Sequence, residues 1–167
     1  EIMTKLEQKV YEYIQQYELC HAGDRLLVAC SGGADSMALL HFLHHEQKRL
    51  GVSVAAVHVN HMLRGEDADG DRLFVESFCK ERSIPVYATN IPIPEILEAE
   101  QGNMPAVCRR ERYAYFKEAM LESKSSKLVV AHHADDQVES ILMALIRGSH
   151  DTGMQGIIRC RPFGNGL

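Results

Sequence analysis

Short, almost wholly apolar runs alternate with longer segments of helical period along this chain. The runs are Leu26-Leu27-Val28-Ala29-Cys30, Val52 to Val59 and Leu128-Val129-Val130-Ala131. An apolar run without alternation reads as a strand buried on both faces, which is typical of a parallel sheet. Parallel neighbours need a crossover, most often a helix. The expected fold is therefore α/β: a doubly wound, mainly parallel sheet with helices on both faces.

The helical segments follow from the spacing of apolar residues. Leu6, Val10, Tyr13 and Tyr17 predict a helix over 3–19, and a second runs from Ser36 to Leu50, closed by Gly51. A third over 71–82 is expected to bury Phe74, Val75 and Phe78. Pro85 opens a short strand over 86–91, after which Pro92 and Pro94 interrupt the chain and 96–100 reads as one helical turn. Pro105 suits the first position of a helix reaching Glu122, with Tyr113, Phe116 and Met120 on one face. The stripe Val138, Ile141, Leu142 and Leu145 predicts a last helix over 134–147, closed by Gly148.

The first apolar run leads into Ser31-Gly-Gly-Ala-Asp-Ser36. A strand, a glycine turn and a helix start place unpaired N–H groups and a positive dipole end together, an arrangement that suits an anion. Gly32 and Gly33 let the main chain approach a phosphate, and Ser31 and Ser36 add hydroxyls. The Walker pattern is absent, since the loop has no lysine. It has Asp35 instead, and a carboxylate beside phosphates calls for a divalent cation between them. The plainer alternative is an ordinary turn with Ser36 or Asp35 as helix cap.

In sheets of this kind ligands sit at the carboxyl ends of the strands. Three strands end in chemically loaded residues: Ser31–Ser36, then His58-Val-Asn60-His61-Met-Leu-Arg64-Gly65, then His132-His133-Ala-Asp135-Asp136. Asp135 and Glu139 are four apart and share a face of the expected last helix. They suit a magnesium site or a developing positive group, with simple capping by Asp135 or Asp136 as the alternative. Arg109 and Arg112 share a helix face and suit phosphate, or else form a solvated basic face. His41, His44 and His45 read as surface or partly packed side chains.

The bulk numbers narrow the class. The 167 residues suit one domain, and 46% hydrophobic content supports one core. No apolar run is long enough for a membrane span, and the N-terminal residues lack a signal peptide's apolar stretch, so a soluble cytoplasmic protein is expected, with no membrane partner. Five scattered cysteines without a C-x-x-C pair argue against zinc and against a disulfide framework. A formal net charge of −5 is not the footprint of a domain that binds nucleic acid unaided.

Taken together, SGGADS resembles the SGGxDS signature of the PP-loop ATP pyrophosphatases. HVNHMLRG, CRRERY and AHHADDQVESILMALIRG are similar to blocks of the tRNA(Ile)-lysidine synthetases within that superfamily, and the likeness runs from about Arg25 to Gly148. The resemblance implies the adenine nucleotide alpha hydrolase-like fold and the following reaction. ATP adenylates the C2 carbonyl oxygen of the wobble cytidine in tRNA(Ile) with a CAU anticodon. L-lysine then displaces AMP to give lysidine.

By the same resemblance, Ser31, Gly32, Gly33, Ala34, Asp35 and Ser36 bind ATP, with His58 and Asn60 near the adenosine. Asp35 and Asp135 hold magnesium (Mg2+), Arg109 and Arg112 meet phosphates or the activated cytidine, and Asp135, Asp136 and Glu139 serve the metal and the incoming amine. Asp35, Arg109, Arg112, Asp135, Asp136 and Glu139 are thus the expected catalytic set. Cys108 stands where alanine is usual, Arg110 adds a charge, and Ser140 keeps the hydroxyl of a common threonine. The chain as a whole, 1–167, reads as one N-terminal catalytic domain lacking the C-terminal domains that grip tRNA. It is expected to bind ATP and to modify tRNA poorly, and a homodimer is among the assemblies expected. Related alternatives are a tRNA thiolase, with Cys108 and Cys160 as candidates by exclusion, an amide-forming synthetase, and a non-enzymatic nucleotide sensor.

Overall fold

The computed structural model describes residues 5–16, 18–63, 66–133, 141–149 and 153–159, the last two segments as backbone. The elements are α1 (Lys5–Gln16), β1 (Arg25–Ala29), α2 (Ala34–His45), α3 (Gln47–Leu50), β2 (Ser53–Asn60), α4 (Glu66–Glu81), β3 (Val86–Asn90), α5 (Ile93–Glu100), α6 (Met104–Ser123), β4 (Lys127–His133), β5 (Ile141–Ser149) and β6 (Gly153–Arg159). The sheet order is β3-β2-β1-β4-β5-β6. Strands β1 to β4 are mutually parallel, while β5 and β6 add antiparallel pairs at one edge.

Register explains why the central strands lack alternation. Leu27 lies between Ala55 and Leu128, and Val28 between Ala56 and Val129. Leu26, Val28, Val54, Ala56 and Val129 face a core completed by Val10 and Ile14 of α1, Leu40 and Leu43 of α2, and Val75 and Cys79 of α4. Leu27, Ala55, Val57 and Leu128 face the other way, against Phe116, Ala119 and Met120 of α6. Both faces are covered, so the central positions of β1, β2 and β4 are apolar whichever way they point.

The predicted strands and helices before residue 133 are present with shifted ends. The second predicted helix divides at Glu46 into α2 and α3, and Gly51 closes it in the left-handed region (φ +72°). Helix α4 starts at Glu66, earlier than expected, because the acids at 66–71 suit the positive end of a helix. Met104 opens α6, placing Pro105 one residue later than predicted, and Asn103 caps it by accepting the Ala106 N–H at 3.1 Å.

Two expectations are corrected. Phe74 is 53% exposed rather than buried, because α4 turns Val75 and Cys79 onto the sheet and leaves the Phe74 side outward. The helix predicted over 134–147 is not formed at its second half: 141–149 is strand β5, paired in order from Ile141↔His133 to Arg147↔Lys127. Ile141 to Ile146 is a short continuous apolar run, and such a run fits a sheet edge as readily as a helix stripe. Gly148 is accordingly part of β5, not a helix end. Among the described residues no helix is long and apolar enough to cross a membrane.

Candidate functional site

The chain leaves β1 through Cys30, whose N–H donates to the Val57 carbonyl at 2.8 Å. Gly32 takes φ +92°, a conformation that suits glycine. Gly33 then caps α2 with extended angles. The serines tie this loop to the helix start. The Ser31 N–H donates to Ser36 Oγ at 3.1 Å, Ser36 Oγ–H donates to the Gly33 carbonyl at 3.2 Å, and the Gly33 N–H donates to Ser31 Oγ at 3.2 Å. The result is a closed turn at a helix N-terminus, where first-turn N–H groups lack intrahelical acceptors. Asp35 is half-buried in that first turn.

This turn borders a cavity of about 390 Å³ at the carboxyl ends of β1, β2 and β4. A volume of that order suits a small-molecule site. Ser31 and Ser36 line it, together with Cys30, His58, Asn60, His61, Leu63, Asp71, Arg112, Phe116, Val130 and Ala131. The strand order places it beside β1, where the chain winds one way to β2 and β3 and the other way to β4. That is the switch point at which doubly wound sheets bind ligands.

The end of β2 supplies three polar side chains. His58 is 3% exposed. Its Nδ1–H donates to the Cys30 carbonyl at 2.7 Å, while its Nε2 is buried and has no hydrogen-bond partner. Asn60, 1% exposed, is engaged within the protein: Nδ2–H donates to Asp69 at 2.8 Å and Oδ1 accepts the Met62 N–H at 2.8 Å. It therefore fixes the β2–α4 loop to the start of α4. The half-buried His61 also has a buried Nε2 without a partner. Burial holds its imidazole below the ordinary histidine value, and the nearby charge of Arg112 adds to this.

Helix α6 separates its arginines. Arg112 lines the cavity, whereas the exposed Arg109 is not among its lining residues. Their guanidinium carbons lie 4.9 Å (Arg109) and 5.6 Å (Arg112) from the centre of the Tyr113 ring. Arg110 turns away to a two-pronged pair with Glu100, at 2.9 and 3.1 Å. Asp135, Asp136 and Glu139 lie outside the described residues, as do Arg64 and Cys160. Among the described residues no three His, Cys, Asp or Glu side chains gather as a metal-holding group.

The structure adds residues that the sequence did not single out. His61 was legible only as part of the block that follows β2. Asp71 carried no sequence signal, and it packs against the loop: a Cβ on Gly32 would lie 3.1 Å from Asp71 Cβ. Asp69 joins through Asn60, and Phe116 forms an apolar wall. Cys30 also faces the cavity, but burial raises its thiol far above the ordinary value, so it is not a ready nucleophile. The histidines of α2 are on or near the surface as expected, and the described cysteines are free.

Comparison with known proteins agrees with this architecture. The bifunctional protein TilS/HprT of Listeria innocua serovar 6a is 42% identical over 155 residues, covering 93% of this chain and 24% of that protein. The tRNA(Ile)-lysidine synthase of Clostridium perfringens strain 13 is 37% identical over 162 residues, covering 97% of this chain and 34% of that protein. That of Bacillus licheniformis is 38% identical over 159 residues, covering 95% and 33% respectively. The chain thus spans about a quarter to a third of the length of these relatives. The U34-tRNA thiolase NcsA of Methanococcus maripaludis superposes with a TM-score of 0.62 at 21% identity, over 75% of this chain and 44% of that one, a likeness of fold. Residues 2–166 match the PP-loop domain family, and with the strand–turn–helix loop at the switch point of a doubly wound sheet, this chain belongs to it.

Proposed function

We propose that this chain is the nucleotide-binding catalytic domain of a tRNA(Ile)-lysidine synthase. The carrying observation is that the Ser31–Ser36 turn, at the N-terminus of α2, opens onto the cavity at the ends of β1, β2 and β4. The names of relatives at 37–42% identity supply the reaction class. The triphosphate lies on main-chain N–H groups of residues 32–36 and on the two serine hydroxyls, the Gly33 N–H and the hydroxyls exchanging their contacts within the turn for phosphate oxygens. The adenosine reaches past His58 and Asn60.

The wobble cytidine's C2 carbonyl oxygen attacks the α-phosphorus, and pyrophosphate leaves with the electrons of the broken P–O bond. The ε-amine of lysine then attacks C2, loses a proton, and AMP departs with its oxygen. Arg112, in the cavity wall, stabilises charge on the phosphoryl group in transfer. Arg109, outside the wall, meets the phosphates of the RNA. Asp135, Asp136 and Glu139 receive the ammonium of lysine and its proton.

Magnesium suits the first turn of α2, where Asp35 Oδ2 is buried beside the phosphate turn. One carboxylate with substrate phosphates is a common way to hold that ion. Asp35 and Asp135 are the residues that would hold it, and its contribution is charge neutralisation across the phosphates. The chain works in the cytoplasm, where ATP, lysine and tRNA meet. Domains beyond the catalytic one supply most of the grip on tRNA, in keeping with the formal charge of −5 here.

The test is pyrophosphate release by the whole protein that contains this domain, with product tRNA digested to nucleosides. Release that requires both tRNA(Ile) with a CAU anticodon and lysine, with lysidine in the digest, is expected. Release independent of either, or a thiolated nucleoside in place of lysidine, overturns the assignment.

A further inference from the structure

His58 holds a buried group that the fold itself does not satisfy. A carbonyl oxygen accepts and cannot donate, so the 2.7 Å contact with Cys30 places a proton on His58 Nδ1. The second ring nitrogen, Nε2, is buried and has no partner. Were Nε2 also protonated, the ring would bury a charge and an idle donor together, which is the costlier arrangement. The Cys30 carbonyl therefore selects the tautomer whose Nε2 carries a lone pair.

The ring cannot readily turn to another use. Cys30 is anchored by its own N–H to Val57, and Val57 immediately precedes His58 on β2. Ring, carbonyl and strand form one rigid unit with Nε2 as its unsatisfied end. His58 and the two loop serines line the same cavity. Buried polar atoms are rarely left unpaired, and one on a side chain that lines a ligand cavity points to a ligand group of complementary type.

We infer that His58 Nε2 is a fixed hydrogen-bond acceptor for an N–H or O–H donor on the nucleoside part of ATP. The inference rests on the ATP reading above and deepens it from a residue near the adenosine to a defined direction of hydrogen bonding. It makes His58 a specificity-determining residue, because a pure acceptor rejects a ligand that presents an acceptor at that position. The donor is either the 6-amine of adenine or a ribose hydroxyl, and both offer the same chemistry.

The experiment is nitrogen NMR of the 15N-histidine-labelled chain, titrated with Mg-ATP, joined to binding measurements by calorimetry. In the free protein, His58 is expected to show a protonated Nδ1 and a bare Nε2. On binding, the Nε2 resonance moves in the direction of an accepted hydrogen bond while Nδ1 stays protonated. His58→Leu is expected to weaken ATP binding about 3–10-fold, the usual net worth of one hydrogen bond, and His58→Gln, which keeps an acceptor, restores part of it.

Three analogues locate the donor: the purine triphosphate lacking the 6-amine, 2′-deoxy-ATP and 3′-deoxy-ATP. The one whose penalty vanishes in His58→Leu has lost the group that His58 holds. ATP that binds and shifts the amides of Ser31–Ser36 while His58 Nε2 stays unchanged overturns this inference and spares the ATP reading. A protonated Nε2 in the free protein also overturns it. Absence of any ATP-induced shift at residues 31–36 overturns both.

Discussion

Lys127 Nζ donates to Asp24 Oδ2 at 2.7 Å and to the Leu19 carbonyl at 2.8 Å, joining the first residue of β4 to the turn that precedes β1. The Lys127 side chain is 6% exposed. The pair lies at the amino ends of the central strands, away from the cavity at their carboxyl ends. Removing the ammonium leaves a partly buried carboxylate with only the His21 N–H and the Ser126 hydroxyl as donors, so Lys127→Ala is expected to cost about 1–3 kcal/mol, read as a lower denaturant midpoint. Burial alone would raise the Asp24 carboxyl, but hydrogen bonds from Lys127, the His21 N–H and Ser126, with the Lys127 charge, bring it below the usual carboxylate value. Its stabilising contribution is thus complete above the unfolded value, near pH 4, and fades as pH falls through the folded one. Asp24→Asn should flatten the acid limb of the stability curve.

Gly32 is the most constrained glycine of the Ser31–Ser36 turn. It has φ +92°, and an added Cβ would meet Asp71 Cβ at 3.1 Å. Gly32→Ala should therefore destabilise the chain by about 1–3 kcal/mol from backbone strain alone and move the turn away from any phosphate. Asp71→Gly in the same background removes the Cβ that crowds position 32 but leaves the φ angle unchanged. Recovery of ATP binding in that double variant would show that crowding, not backbone, was decisive.

Arg112 and Arg109 should separate in kinetics. Arg112→Ala is expected to lower the rate of ATP-dependent adenylation by about 10²-fold, since its side chain is in the cavity wall. Arg109→Ala should leave ATP affinity within about twofold, weaken tRNA binding, and reduce the salt dependence of that binding by roughly one phosphate contact. Equal loss of ATP affinity in both variants would contradict the division.

His61 should titrate below the ordinary histidine range. Its imidazole is disfavoured as a cation by burial first, then by the Arg112 charge. Because its folded value is lowered, the folded state gains relative stability above the unfolded value, near 6.5, and loses it as pH falls through the folded value. Proton NMR of the His61 ring resonance gives the midpoint directly. Arg112→Ala should raise it, and no change would mean that burial acts alone.

Much of the site's chemistry was legible because it is local. Ser31 to Ser36 carries its own turn chemistry, although the contact between the two serines appears only in the folded turn. The parallel core was legible as well: Leu26 to Cys30 and Leu128 to Ala131 lack alternation because helices cover both faces. Arg109 and Arg112, three apart, could be put on one helix face but not assigned different surroundings. Only the packing of α6 on the sheet brings Arg112 to the cavity and leaves Arg109 outside its lining.

What the sequence alone determined was the order of elements as far as β4, the turn between β1 and α2, and the meeting of the β1 and β2 ends beside β4 on one rim. These follow from periodicity and from the few residues that a tight turn admits. Tertiary structure decided the rest. It set Asp71 against Gly32, engaged Asn60 with Asp69, chose a strand over a helix for the apolar run at 141–146, and fixed the His58 proton through the Cys30 carbonyl. Each of these depends on a partner distant along the chain or on a sheet edge that exists only once the fold has closed.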